Sequence, residues 1–171
     1  MPPVLCITGD DVGMNDIEMG HLRRCVELAT EALDAGDEPF GSVLAAADGT
    51  FLAEDRNRIA GGDSTRHPEF ELARWAAQYL TPEERSTATV FTSGEHCPMC
   101  AAAHAWVGLG RIVYICSAAQ LGEWLAEWGV APAPVKSLSI NEVAPNIVVE
   151  GPISELSPQV RELHRKLHGG A

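Results

Sequence analysis

Basic residues are scarce in this sequence: 12 lysines and arginines stand against 24 aspartates and glutamates, which gives a net charge of −12. Because nucleic-acid binding depends on basic side chains that neutralise phosphates, this imbalance argues against a large polyanionic partner. The sequence also lacks any run approaching the ~20 apolar residues of a membrane-spanning helix, and it contains no internal repeat. These absences leave a globular protein, and its 171 residues are expected to form one domain over 1–171.

A disulfide framework is not indicated either. The five cysteines are an odd number, and two of them, Cys97 and Cys100, form a C-x-x-C pair. This pattern fits metal ligation in a reducing compartment better than disulfide pairing. The first residues, MPPVLCITGDD, lack the basic region of a secretory signal. We therefore expect a cytoplasmic protein with no membrane partner.

Two segments carry the candidate chemistry. TRHPEFELARW contains His67 and Glu69 in an H-x-E pattern, and TVFTSGEHCPMC contains Cys97 and Cys100. One imidazole and two thiolates suit Zn²⁺ and leave a tetrahedral ion one open position, as in catalytic zinc sites. Water in that position has a lowered pKa and becomes a nucleophile. Glu69 is placed beside the metal ligands, where it can act as the catalytic proton shuttle.

A proline follows the first ligand of each segment. Pro68 follows His67, and Pro98 follows Cys97. Proline suits the first position of a helix because its missing N–H would have no partner there. We therefore expect each ligand at a helix N-terminus, where the positive end of the helix dipole favours a thiolate.

The H-x-E and C-x-x-C patterns together resemble the zinc-dependent cytidine/deoxycytidylate deaminase superfamily, over about residues 20–167. CPMCAAAHAWVGLGRIVY is similar to the second motif of the guanine deaminase and tRNA adenosine deaminase branch, and PFGSVL is similar to its first core strand. The resemblance implies that His67, Cys97 and Cys100 hold zinc and that Glu69 is catalytic. It also implies a homodimer whose second subunit helps to close the pocket.

Four further residues are candidates for substrate contact. Asn57 matches the substrate-binding asparagine of the branch. Trp106 aligns with a tryptophan of the guanine deaminase branch and could line the pocket, lie at a subunit contact or pack in the core. Phe40 stands at the start of the first strand, where it could reach the pocket or pack in the core. His96 precedes Cys97 and could donate to the substrate or support a ligand.

Two positions depart from the pattern of the superfamily. His96 stands where a proline is usual, and Pro68 stands where an alanine is usual. Many members use the main-chain N–H of that alanine to hold a substrate carbonyl, and proline has no N–H. We therefore expect weak use of at least one standard base.

Strands separated by helices after an initial hairpin predict an α/β fold, a three-layer α/β/α sandwich with a mixed sheet. The resemblance implies about five strands. Asp48 and Gly49 predict a two-residue hairpin turn. Residues 1–14 are expected to form an extended lead-in, residues 131–134 a stiff linker, and residues 157–168 a C-terminal helix.

The sequence thus predicts zinc-dependent hydrolytic deamination of a free nucleobase, nucleoside or related amino-heterocycle. A guanine-like purine is the leading substrate, followed by cytosine or cytidine, modified bases and triazines. A tRNA adenosine deaminase remains an alternative, although the negative charge makes nucleic acid an unlikely partner. The other alternative is a non-catalytic zinc domain, in which Glu69 would be dispensable and chelation would unfold the protein.

Overall fold

The structure is a computed structural model that describes residues 13–169. Most of the predicted lead-in over 1–14 therefore lies outside the described residues. The helices are α1 (Asp16–Asp34), α2 (Pro68–Tyr79), α3 (Pro82–Thr87), α4 (Pro98–Trp106), α5 (Ala118–Glu127), α6 (Ile140–Val143) and α7 (Ser157–His168). The strands are β1 (Gly41–Ala45), β2 (Phe51–Arg56), β3 (Thr89–Gly94), β4 (Arg111–Cys116) and β5 (Val149–Glu150).

The five strands form one mixed sheet in the order β2-β1-β3-β4-β5. Strand β1 pairs antiparallel with β2 and β3, whereas β3, β4 and β5 are parallel. The two site helices, α2 and α4, follow β2 and β3 along the chain. The structure confirms the predicted α/β fold with a mixed five-stranded sheet.

Both faces of the sheet are covered at its centre, because β1, β3 and β4 are buried at nearly every position. On one face Val43 and Val113 pack against α1, α5 and α7. On the other face Leu44 and Val90 pack against α2, and Ile112 packs against α4 and α6. Side chains that alternate along a strand point to opposite faces, so β1, β3 and β4 contribute to both cores and the sheet becomes the middle layer.

The first helix lies directly on the first strand. A Cβ atom on Gly41 would overlap with Leu28 and would come within 2.6 Å of the Cys25 carbonyl oxygen. The close approach therefore requires glycine at the start of β1. It sets the position of the adjacent Phe40, whose ring reaches the candidate site.

The hairpin between β1 and β2 has a longer turn than predicted. Gly49 has a φ of 85°, as the sequence indicates, but Ala46 N donates to Thr50 O at 2.8 Å and Gly49 N donates to Ala46 O at 2.9 Å. The connection thus has three residues, 47–49, with glycine in the left-handed position. An irregularity in the pairing between Leu44 and Ala45 accommodates the extra residue.

Within residues 13–169, no helix is both long and apolar enough to cross a bilayer.

Two histidines are buried where a charged ring would be poorly solvated. His104 on α4 donates from Nε2 to the Gly110 carbonyl oxygen at 2.8 Å, and its Nδ1 has no hydrogen-bond partner in the described part of the chain. Neither ring nitrogen of His164 on α7 has one. Burial lowers the pKa of His104 to about 4 and that of His164 to about 3.

We expect these two histidines to make the protein acid-sensitive. In the unfolded chain histidine has a pKa of about 6.5, so below that pH the unfolded state binds more protons than the folded state. The free energy of unfolding should therefore fall by about 1.4 kcal/mol per pH unit for each histidine as the pH drops from 6.5 towards 4. His164→Phe should remove one such contribution. Urea unfolding at several pH values measures it, and an unchanged slope would contradict the prediction.

Candidate metal centre and cavity

Two helix N-termini bring the metal-ligand candidates together. His67 is the N-cap residue of α2 and Cys97 is the N-cap residue of α4, and in both helices proline follows at the first position. Neither side chain caps its own helix, so both are free to point to a ligand. Cys100 lies one helical turn after Cys97 and is completely buried. These placements agree with the arrangement expected from the sequence.

The three ligand atoms form a nearly equilateral triangle. His67 Nδ1 lies 3.6 Å from each sulfur, and the two sulfurs lie 3.6 Å apart. A tetrahedral zinc with Zn–S of about 2.3 Å and Zn–N of about 2.0–2.1 Å has these atoms about 3.5–3.8 Å apart. Within the described residues this is the one group of three or more suitable side chains found close enough to hold a metal. The residues present therefore fit zinc.

The electrostatics of the triangle favour a cation. A hydrogen bond between the sulfurs, with a second from His67, lowers the pKa of Cys97 to about 4. The same pair raises the pKa of Cys100, since the two sulfurs share one negative charge in a buried place. The hydrogen bond to Cys97 raises the pKa of His67. A bound cation would offset the repulsion between the sulfurs and allow both to ionise.

Glu69 lies beside the triangle without being part of it. Its carboxylate is buried, and Oε2 lies 3.9 Å from Cys100 Sγ. Oε1 accepts a hydrogen bond of 2.9 Å from Thr92, whose hydroxyl accepts one of 2.9 Å from Ser42. Burial raises the pKa of Glu69. A carboxyl group held in this way, with a raised pKa, suits proton transfer near neutral pH.

A cavity of about 590 Å³ opens onto these groups. His67, Glu69 and Cys97 lie on one side of it, and Phe40 and Cys116 are also part of its lining. Ligand pockets in proteins commonly span about 300–1,000 Å³. Two corners of the triangle, His67 and Cys97, and the Glu69 carboxyl thus face a space that can hold a small molecule.

The four candidates for substrate contact are not all in this cavity. Phe40 lines it. Asn57 is completely buried behind it, where its N–H donates to the Phe40 carbonyl at 3.0 Å and its Nδ2 has no partner among the described residues. His96 is buried edge-on against His104, with ring centroids 5.3 Å apart. Neither Asn57 nor His96 lines the cavity.

Trp106 lies away from the cavity. It is the last residue of α4, 89% exposed, beside a separate groove that includes Val143 and Ile147. Cys97 begins the same helix, so the helix itself separates the tryptophan from the metal ligands. Within the described protomer, Trp106 neither lines the cavity nor packs in the core.

Sequence reasoning missed part of the site. The segment 131–134, predicted to be a linker, lines the cavity together with its neighbours. Its composition, APAP, carries no chemical signal, and only the fold brings it opposite the metal ligands. Thr92 and Ser42 were missed as well, because their contact with Glu69 joins three separate elements.

Glu95 connects the metal-ligand loop to the wall of the cavity. Its Oε2 accepts from the Ala118 N–H at 2.8 Å, and its Oε1 accepts from the Ile140 N–H at 2.9 Å. These residues are the first of α5 and α6, whose dipoles favour a negative charge. One carboxylate thus holds the first residue of α5 and the first residue of α6, on either side of residues 119–139.

Replacing Glu95 by glutamine should destabilise this part of the protein. The amide keeps one acceptor oxygen, so one of the two partly buried N–H groups loses its partner. We expect a loss of about 1–2 kcal/mol, in the lower part of the range for an unpaired buried donor. The midpoint of urea unfolding measures it. The same substitution at Glu123, which is exposed on α5, is the control, and equal effects of the two would contradict the prediction.

Comparisons with known proteins find several deaminases. A probable cytosine deaminase of Schizosaccharomyces pombe is 27% identical over 101 residues, 59% of this chain and 61% of its own length. The guanine deaminase of Bacillus subtilis is 36% identical over 95 residues, 54% of this chain and 60% of its own. The tRNA-specific adenosine deaminase of Agrobacterium fabrum is 36% identical over 101 residues, 56% and 66% respectively. The chain thus spans about 60% of the first two relatives.

The fold comparison extends over nearly the whole chain. A guanine deaminase structure from Nitrosomonas europaea matches 95% of this chain and 97% of its own, with a TM-score of 0.68 and 18% identity. At that identity the likeness concerns the fold. The profile of the MafB19-like deaminases matches residues 16–160, most of the sequence. The chain therefore belongs to the MafB19-like deaminase family.

Proposed function

We propose that this protein is a zinc-dependent hydrolase that deaminates a small amino-heterocycle and releases ammonia. The observation that carries the proposal is the triangle of His67, Cys97 and Cys100, two of whose members, His67 and Cys97, line the same cavity as the buried carboxyl of Glu69. Three ligands and a nearby carboxylate are the parts that a hydrolytic metal site needs. Membership of a deaminase family supports this choice of reaction.

Each group has a role in the proposed reaction. When bound, zinc would supply a water of lowered pKa and polarise it for attack. Glu69 takes a proton from the attacking water, passes it to the ring nitrogen, and carries another to the departing amine. Thr92 fixes one oxygen of Glu69, so that the other faces the reacting groups. The substrate amine and water are converted to a carbonyl compound and ammonia.

The substrate is proposed to be a free base, nucleoside or related ring, with a guanine-like purine first. The guanine deaminase relatives support this order, and the cytosine deaminase relative supports pyrimidines as the alternative. We further propose a cytoplasmic homodimer. The free thiols of Cys25 and Cys116 fit a reducing compartment, and the exposed Trp106 fits a subunit contact.

The test is ammonia release from a panel of aminopurines, aminopyrimidines, their nucleosides and aminotriazines, with zinc-loaded protein of measured metal content. We expect turnover of at least one class at about one zinc per chain. A tRNA transcript is included in the panel because of the adenosine deaminase relative. Turnover of the transcript alone would replace the small-molecule proposal, and no ammonia from any compound at full zinc content would overturn deamination.

A further inference from the structure

The wall of the cavity opposite the metal ligands is apolar. It consists of one face of α5, where Leu121 and Leu125 lie, and of the segment 130–138 that follows, VAPAPVKSL. The polar side chains of this segment are those of Lys136 and Ser137. A substrate that fills the cavity must therefore place apolar surface against this wall, since polar groups would lose water there without gaining partners.

This wall is attached to the site and is not a loose loop. Glu95 accepts from Ala118 at its beginning and from Ile140 just beyond its end, and Glu95 stands two residues before Cys97. Proline at positions 132 and 134 restricts the backbone between these points. The wall therefore keeps its place relative to the metal ligands, and its shape can select substrates.

The lining does not suit a phosphate group. Lys136 is the one lysine or arginine among the lining residues that the structure describes, and it is exposed, whereas Glu69 and Glu95 contribute negative charge. The N-terminus of α5 could otherwise bind an anion. Two of its first three N–H groups already have acceptors, because Glu95 accepts from Ala118 and the Ser117 hydroxyl accepts from Gln120 at 3.0 Å. A nucleotide is therefore a poor fit.

A bare base would leave much of the cavity empty. The volume of about 590 Å³ lies in the middle of the range that holds ligands larger than a single ring system. The part next to His67 and Glu69 is where the amine must react, so the remaining space lies along the apolar wall.

We propose that the substrate is an amino-heterocycle that carries an uncharged apolar substituent. The substituent lies against Leu121, Leu125 and Val135, while the amine-bearing ring lies next to His67 and Glu69. This inference rests on the proposed deaminase function, and it replaces the bare guanine-like purine at the head of the substrate order by a ring with an apolar substituent.

The test uses diaminotriazines that carry a methyl, butyl or phenyl group on the third ring carbon, so that only the apolar group changes. Binding to the zinc-loaded protein is measured by calorimetry, and ammonia release is measured separately. We expect the dissociation constant to fall at least about tenfold from methyl to phenyl, the effect of added apolar contact in a hydrophobic pocket. Equal affinities across the series, or no binding of any member, would overturn the inference.

The two readouts separate this inference from the proposed function. Ammonia release without a gradient in affinity is consistent with the proposed deaminase function, but it overturns the inference that the substrate carries an apolar substituent. A gradient in affinity across the triazines, with no ammonia from them or from the panel of bases and nucleosides, supports the wall as a binding surface. The same result overturns the proposed deaminase function.

A pair of valines provides the matched control. Val135 and Val148 are 58% and 61% exposed, but only Val135 lines the cavity. Val135→Asn should reduce the preference for phenyl over methyl by about fourfold, the effect of one buried methylene group. Val148→Asn should leave the preference unchanged. Equal preferences in the two variants would show that the wall does not contact the substituent, even if both proteins fold normally.

Discussion

Glu69→Gln is expected to reduce ammonia release by about 10²- to 10⁴-fold, the usual contribution of a positioned general acid–base. Glutamine has nearly the same shape, and its carbonyl oxygen can still accept the hydrogen bond that Thr92 now donates to Oε1. The folded structure should therefore survive. What is lost is the carboxyl group that can take up and release a proton. Steady-state ammonia release on the best substrate of the panel measures the effect.

The control for this variant lies on the same helix. Glu71 is also in the first turn of α2, where it pairs with Arg66 at 3.3 Å, and it lies outside the lining of the cavity. Glu71→Gln should retain nearly the whole of the activity. Zinc content should be equal in both variants, because neither glutamate is one of the three ligand candidates. A fully active Glu69→Gln variant would show that Glu69 does not carry the proton in the reaction.

The metal ligands could be recognised from the sequence because their signal is local. His67–Pro68 and Cys97–Pro98 each combine a ligand with a residue that begins a helix, and both helices do begin there. The spacing of Cys97 and Cys100 is one helical turn, which brings both sulfurs to one side. The local motifs do not show that the two helices lie close together. That proximity follows from the sheet, which the alternation of strands and helices predicted.

The substrate contacts could not be recognised in the same way. A matching residue type shows neither which way a side chain points nor what lies between it and the site. Trp106 is on the predicted helix but at its far end, and His96 is next to Cys97 but buried against His104. The segment 131–134 is the opposite case. Its sequence carries no chemical signal, yet the segment forms part of the cavity wall in the fold, where Glu95 binds the chain before it at Ala118 and after it at Ile140.

Zinc should stabilise the folded protein strongly, because the ligand triangle is assembled only when α2 and α4 are in place. At a free zinc concentration 1,000-fold above the dissociation constant, the stabilisation is about 4 kcal/mol. For a chain of this length each kcal/mol raises the melting temperature by about 2–4 °C, so the expected increase is about 8–16 °C. Calorimetric melting with zinc and with chelator measures it, and a wild-type protein that melts at the same temperature in both would contradict the zinc assignment.

Two cysteine variants make this test specific. Cys100 and Cys25 are both completely buried, but only Cys100 belongs to the triangle. Cys100→Ala should lose most of the zinc-dependent increase, whereas Cys25→Ala should keep it, although its melting temperature without zinc falls because a core sulfur is missing. A purely structural zinc ion would give the same melting results. In that case, however, Glu69→Gln would not change ammonia release. Thermal stabilisation that depends on Cys100 therefore places the metal in the triangle, and turnover that depends on Glu69 places the adjacent carboxyl in the reaction.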